Sequence, residues 1–130
     1  YLEKSPNTAP KSASFELAYE LMNLRNEMHS ENVSVQKESN IYFDGKVIST
    51  KITFEDGSIK TLGVMHPGDY EFDTKDKEVM DILSGEIEVM HQESSNWKKI
   101  NSGQSFEVAA SSKFKIKVLK ITNYCCSYLK

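Results

Sequence analysis

The sequence has little of several things that would specialise it. Among its 130 residues are two cysteines, three prolines, three histidines and one tryptophan. The cysteines, Cys125 and Cys126, are adjacent. Neighbouring strand residues point to opposite faces, so at most one of them meets a core. A vicinal bridge is strained and one pair makes no disulfide framework. Reduced, structural thiols are expected, which suits a reducing compartment and points to the cytoplasm. No apolar run nears the ~18 residues that span a bilayer. The first residues show no basic segment followed by an apolar stretch, so neither a membrane span nor a secretory leader is expected. A net charge of -3 provides no global basic field, which argues against nucleic acid or an anionic membrane as the main partner. Missing too are a Walker-type glycine loop, a dinucleotide fingerprint, paired histidines on a helix and a Gly-x-Ser-x-Gly elbow. Histidine-dependent nucleophilic chemistry is poorly supplied: His66 sits beside a turn and His91 at a strand end, and both read as exposed.

What is present divides into two parts near residue 38. Residues 1–38 read as a tail followed by a helix. Pro6 and Pro10 keep the tail irregular. Leu17, Leu21, Leu24 and Met28 then recur at helical spacing, with Phe15, Ala18 and Met22 widening the stripe. Ser12 or Ser14 supplies a cap, Glu16 suits the positive end of the dipole, and one amphipathic helix is expected over 14–29. His29 reads as a solvated residue at its end. Alone such a helix is marginal in water, so it docks on the barrel flank, on another subunit, or on a partner that orders it.

Residues 39–130 alternate with a strand period instead. Asp56-Gly57 between two β-rich runs is a strong hairpin signal. Short strands follow over Ile59 to Met65, Tyr70 to Thr74, Val79 to Leu83 and Glu86 to His91. Others are expected over Trp97 to Ile100, Gln104 to Ala109, Phe114 to Leu119 and Tyr124 to Leu129, with turns at Ser84-Gly85 and Asn101-Ser102-Gly103. About nine short strands at this spacing predict an all-β fold, a single small antiparallel barrel. Closure is expected because so small a sheet otherwise exposes edges. Lys113, Lys115 and Lys117 alternate on one strand and read as a solvated face.

One spacing carries chemistry. Glu78 and Gly85 are separated by six residues, and Gly103 precedes the Ala109-Ala110-Ser111 loop by one strand. Cupins, which are jelly-roll barrels, resemble this: two histidines stand shortly before a glutamate, a glycine follows, and a third histidine comes after a later glycine and turn. On this chain the histidine positions fall at Phe72, Thr74 and Phe114, and Glu78 alone keeps its type. Transition metals need three or four converging nitrogen, sulfur or carboxylate donors. Two phenyl rings and a threonine do not supply them, so no metal is expected and the site becomes an apolar-walled pocket with one carboxylate.

Longer strings sharpen the likeness. Asn40-Ile41-Tyr42-Phe43-Asp44-Gly45-Lys46-Val47, Gly63-Val64-Met65 and Gly68-Asp69-Tyr70-Glu71-Phe72 resemble, in order, segments of the pyrimidine/purine nucleoside phosphorylase family of short cupins. Glu78, Met80, Ser84-Gly85, Trp97, Gly103, Phe106, Val108, Phe114 and the closing Tyr124-Cys125-Cys126-Ser127-Tyr128-Leu129 continue the resemblance. Ala109-Ala110-Ser111-Ser112 departs from the family's usual turn, and the N-terminal helix is not part of its pattern.

The resemblance implies a cytoplasmic pentosyltransferase, acting on purine and pyrimidine nucleosides with inorganic phosphate as co-substrate, without a cofactor, and as a homodimer. Phosphorolysis puts positive charge on the sugar as the glycosidic bond breaks. Phe72 and Phe114, with Tyr42 and Met80, are then candidates to stack on the base, against their plain reading as barrel core. Thr74 is a candidate for a hydrogen bond to base or ribose. Glu78 is the catalytic candidate, binding ribose hydroxyls or stabilising the cationic sugar; the alternative is a rim salt bridge to Lys75 or Lys77. Lys46, Ser111 and Ser112 are the phosphate candidates. The competing function is a non-catalytic cupin that binds nucleoside-like small molecules, since fold does not fix function; an assembly module is a third reading.

Overall fold

The computed structural model describes residues 32–130. The tail and the helix expected over 14–29 lie outside the described residues. The strands are β1 (Ser34–Val35), β2 (Asn40–Tyr42), β3 (Val47–Thr53), β4 (Ile59–Met65), β5 (Gly68–Asp73), β6 (Lys77–His91), β7 (Lys98–Asn101), β8 (Ser105–Val108) and β9 (Lys113–Leu129). Pairing is antiparallel throughout, as the hairpin signals require. At the Asp56-Gly57 turn, Asp56 Oδ1 accepts the Ser58 amide at 2.8 Å and the Ser58 hydroxyl at 2.6 Å. That fixes the β3–β4 register with Val47 opposite Met65. Among the described residues no helix is long and apolar enough to cross a membrane.

Two long strands organise everything else. β6 and β9 pair along their whole lengths. The C-terminal half of β9 also takes β4, while its N-terminal half takes β5. The N-terminal half of β6 takes β8 and its C-terminal half β7. The chain is therefore bent into two layers that share β6 and β9. The bend lies at Ser84-Gly85, where the register slips repeatedly. Ser84-Gly85 is thus a bulge within one strand rather than the turn its composition predicts. Gly85 has φ +108°, and a methyl there would lie 2.7 Å from the Ile121 carbonyl, so the bend needs glycine.

The expected closed barrel is corrected by the strand order. The hydrogen-bonded path runs β1-β3-β4-β9-β6-β7, with β2 on β3, β5 on β9 and β8 on β6, and its two ends do not pair. Side chains do part of what a ladder would do. Beyond β2, Phe43, Asp44 and Gly45 all have positive φ. This tight turn aims the Phe43 ring at Tyr70, 4.9 Å between centroids, and at Phe72, 5.5 Å. Aromatic packing joins the end of β2 to β5 where no backbone bonds do. Left-handed backbone costs about 1–2 kcal/mol per non-glycine residue, and this packing offsets it.

The core lies between the layers. Val47, Met65, Met80, Ile82, Phe106, Val108, Tyr124 and Cys126 from one face meet Tyr70, Ile87, Val89, Ile100, Phe114, Ile116 and Val118 from the other. The outer faces differ. On the β5–β9–β6 face, Asp69 and Glu88 flank Lys117, and Glu71 stands opposite Lys115. Alternating charge across strands keeps that face in water, as expected for the lysine series. The outer face of β3–β4 carries Ile48, Ile52, Leu62 and Val64, bordered by Val35 and Ile41 at 56% and 65% exposure.

Candidate functional site

The inward alternation of β3, β4, β6 and β9 leaves a cavity of about 210 Å³ at the end of the core beside β2 and β5. Tyr42, Ser49, Thr61, Met65, Phe72, Asp73, Glu78, Met80, Phe114, Tyr124, Cys126 and Tyr128 line it. Its two sides differ in chemistry. Phe72 and Phe114 are cross-strand partners in β5 and β9, and their rings stack with centroids 5.6 Å apart. Opposite them, hydroxyls and a thiol project from β3, β4 and β9: Ser49, Thr61, Tyr124, Cys126 and Tyr128. Tyr42, half exposed, stands at the mouth.

Glu78 is a cross-strand partner of Tyr128 and shares the inward face with Met80. Burial pushes its carboxyl pKa up, opposed by a hydrogen bond from Cys126 and reinforced by Asp76. The Cys126 thiol donates to Glu78 Oε1 at 3.5 Å. The rim salt bridge weighed for Glu78 is not formed among the described residues: Lys77 Nζ lies 3.1 Å from Glu107 Oε1 instead. Burial also raises the pKa values of Tyr124, Tyr128 and Cys126, so all three are neutral donors at neutral pH. Thr61 Oγ1 and the Tyr128 hydroxyl lie 3.2 Å apart. Asn40 Nδ2 donates to Ser49 Oγ at 3.2 Å, which orients that hydroxyl beside Tyr124.

The cavity thus gathers Tyr42, Phe72, Glu78, Met80 and Phe114 from widely separated parts of the chain. It does not gather the other candidates. Thr74 is buried in the turn beyond β5, where its hydroxyl donates to the Ala109 carbonyl at 2.6 Å and accepts the Ser112 amide at 2.9 Å. Ser111 and Ser112 belong to that turn and do not line the cavity, and neither does the exposed Lys46. His66 is exposed, and His91, half-buried, packs its ring 6.2 Å from Phe106, outside the cavity.

Ser49, Thr61, Tyr124, Cys126 and Tyr128 were not singled out from the sequence as site residues. A signal existed for three of them: Tyr124, Cys126 and Tyr128 alternate and so share one strand face. Gly63 belongs with them. A methyl at Gly63 would come within 2.5 Å of the Tyr124 hydroxyl, so the ring occupies the space of the absent side chain. Cys125, on the opposite strand face, is also buried and free.

The cupin fold implies a metal, and the residues here do not fit one. Phe72 and Phe114 meet where two imidazoles would stand, Thr74 is committed to its turn, and Glu78, Cys126 and Asp73 on the cavity wall do not converge. Among the described residues no group of three or more histidine, cysteine or acidic side chains converges.

A sequence profile of the pyrimidine/purine nucleoside phosphorylase family matches residues 37–128. The chain belongs to that family. A curated relative from Chlorobium chlorochromatii (strain CaD3), named a pyrimidine/purine nucleoside phosphorylase, is 57% identical over 98 residues, covering 75% of this chain and 94% of its own length. A crystal structure of a protein of unknown function from Acinetobacter sp. ADP1 superposes with a TM-score of 0.74 at 40% identity, over 78% of this chain and 98% of that one. The cupin domain of Cnp3 from Schizosaccharomyces pombe matches with a TM-score of 0.53 at 16% identity, over 65% of this chain and 61% of that one, and shows the shared fold. The family profile match includes every strand that lines the cavity.

Proposed function

We infer that this protein is a nucleoside phosphorylase, cleaving purine and pyrimidine nucleosides with inorganic phosphate to free base and ribose 1-phosphate. The observation that carries it is the two-sided cavity, with a stacked phenyl pair facing a hydroxyl wall and one desolvated carboxylate, in a chain of this family. Aromatic faces accept any base, which fits a broad specificity. Ser49, Thr61, Tyr124 and Tyr128 offer donors to ribose and phosphate oxygens. In the transfer, a phosphate oxygen forms the bond to C1′ as the C1′–N bond breaks. The base nitrogen keeps the bonding pair and takes the proton that hydrogen phosphate brings. Glu78, ionised, stabilises the positive charge that spreads over the sugar between the two events. That assigns it electrostatic work and makes the reaction a glycosyl transfer without a covalent enzyme intermediate or a cofactor.

Exposed Val35 and Ile41, beside the outer face of β3–β4, support a homodimer, the commonest symmetric assembly of soluble proteins. The buried free thiols suit the cytoplasm. The decisive experiment incubates uridine and adenosine with the protein, with and without phosphate. Release of free base and ribose 1-phosphate only with phosphate is expected, and unchanged by a chelator. Saturable nucleoside binding without release refutes catalysis and leaves a binding protein.

A further inference from the structure

Glu78 meets a strand neighbour, Cys126, whose thiol the proposed transfer does not use. Tyr128 stands directly across from Glu78, and Cys126 lies one inward position further along β9, opposite Met80 and Thr61. Diagonal partners on one face of a sheet are close enough for side-chain contact. We propose that Cys126 is a positioning residue for Glu78: its thiol, donating to Oε1, turns the carboxylate toward the cavity, and the Thr61–Tyr128 hydroxyl pair braces the thiol. The role in turnover rests on the phosphorolysis reading; the contact itself does not.

A thiol is a weak donor to water-exposed groups. Cys126 is 2% exposed, and a charged acceptor in so dry a place strengthens the bond. Burial and the charge of Glu78 keep the thiol protonated, so it acts as a donor and not as a nucleophile. The other titratable groups near Glu78 are Asp76 ahead of β6, Tyr124 and Tyr128 on β9, and Asp73 on the cavity rim. On β8 the inward partner is apolar Val108, while Glu107 is held by Lys77. Asp76 raises the Glu78 pKa, whereas the Cys126 bond lowers it.

A cysteine that merely filled space would behave as a small hydrophobe, tolerating alanine at least as well as serine. A positioning donor reverses that order. The test compares the full-length wild type with Cys126→Ala and Cys126→Ser. It measures kcat and KM against pH at saturating phosphate and follows the Glu78 carboxyl by carbon NMR titration without substrate. Expected for Cys126→Ala is about a tenfold fall in kcat with KM within about twofold. Its acid limb and its carboxyl midpoint both move to higher pH, because the donor that favoured the ionised form is gone. Cys126→Ser restores all three. Should the alanine variant fail to fold, the serine variant still decides, since its midpoint must stay at or below that of the wild type. An unmoved midpoint in the alanine variant, or a serine variant impaired as badly, overturns the assignment. A wild type that releases no base with phosphate, yet shows the coupled titration, overturns phosphorolysis and leaves the contact standing.

Discussion

Replacing Glu78 by glutamine keeps the volume of the side chain and removes its charge. In the proposed transition state the carboxylate faces a sugar carrying about half a positive charge. Two unit charges ~4 Å apart attract by ~4 kcal/mol at an effective dielectric of ~20, so half a charge is worth about 2 kcal/mol. That is roughly 30-fold in kcat. Stability moves the other way. Burial raises the Glu78 pKa, so the folded state holds an ionised carboxylate less favourably than the unfolded chain does at neutral pH. The penalty disappears as pH falls through the raised folded-state value toward the unfolded one of about 4.3, since both states are then protonated. Glu78→Gln therefore melts at or above the wild-type temperature at neutral pH, and the difference closes on acidification. Each kcal/mol of such a difference appears as roughly 4–8 °C in a domain of this size. The assays are initial rates of base release and thermal melts at neutral and acidic pH. Unchanged kcat removes Glu78 from the mechanism, and a lowered melting temperature at neutral pH refutes the account of its burial.

Two further substitutions separate packing from binding. Gly63→Ala drives a methyl into the Tyr124 ring; overpacking of about 1–3 kcal/mol lowers the melting temperature, and displacement of the hydroxyl wall raises KM for nucleoside. An unaltered KM would show that Tyr124 does not shape the substrate site. Thr74→Val leaves the Ser112 amide and the Ala109 carbonyl without their partner, at about 1–3 kcal/mol of stability, with KM unchanged and Thr74→Ser close to wild type. A raised KM with an unaltered melt would instead return Thr74 to the substrate site.

Lys46, Ser111 and Ser112, the expected phosphate ligands, do not line the cavity. No lysine or arginine lines the cavity among the described residues, while Glu78 and Asp73 do. A hydroxyl wall binds phosphate less tightly than a cationic clamp, because neutral hydrogen bonds are roughly half as strong as charge-assisted ones. In the proposed reaction such a site suits a co-substrate that must also leave as part of the product, with the carboxylate serving the cationic sugar rather than the anion.

Local sequence determined most of the strands and much of one wall. Period-two alternation and the Asp56-Gly57 turn mark the β character without help, because the side-chain period of a strand is a property of the backbone. The absence of donors at Phe72, Thr74 and Phe114 is likewise legible, since residue chemistry does not depend on the fold. Three things belonged to tertiary structure alone. Ser84-Gly85 carries a turn composition, yet lies in the middle of a strand because β9 pairs on both sides of it. The sheet stays open, and Phe43, Tyr70 and Phe72, brought together from separate parts of the chain, pack where no ladder joins β2 to β5. The hydroxyl wall arises because the registers of β3, β4, β6 and β9 bring Ser49, Thr61, Glu78, Cys126 and Tyr128 to one face. Register is a relation between strands, so no single stretch of sequence contains it.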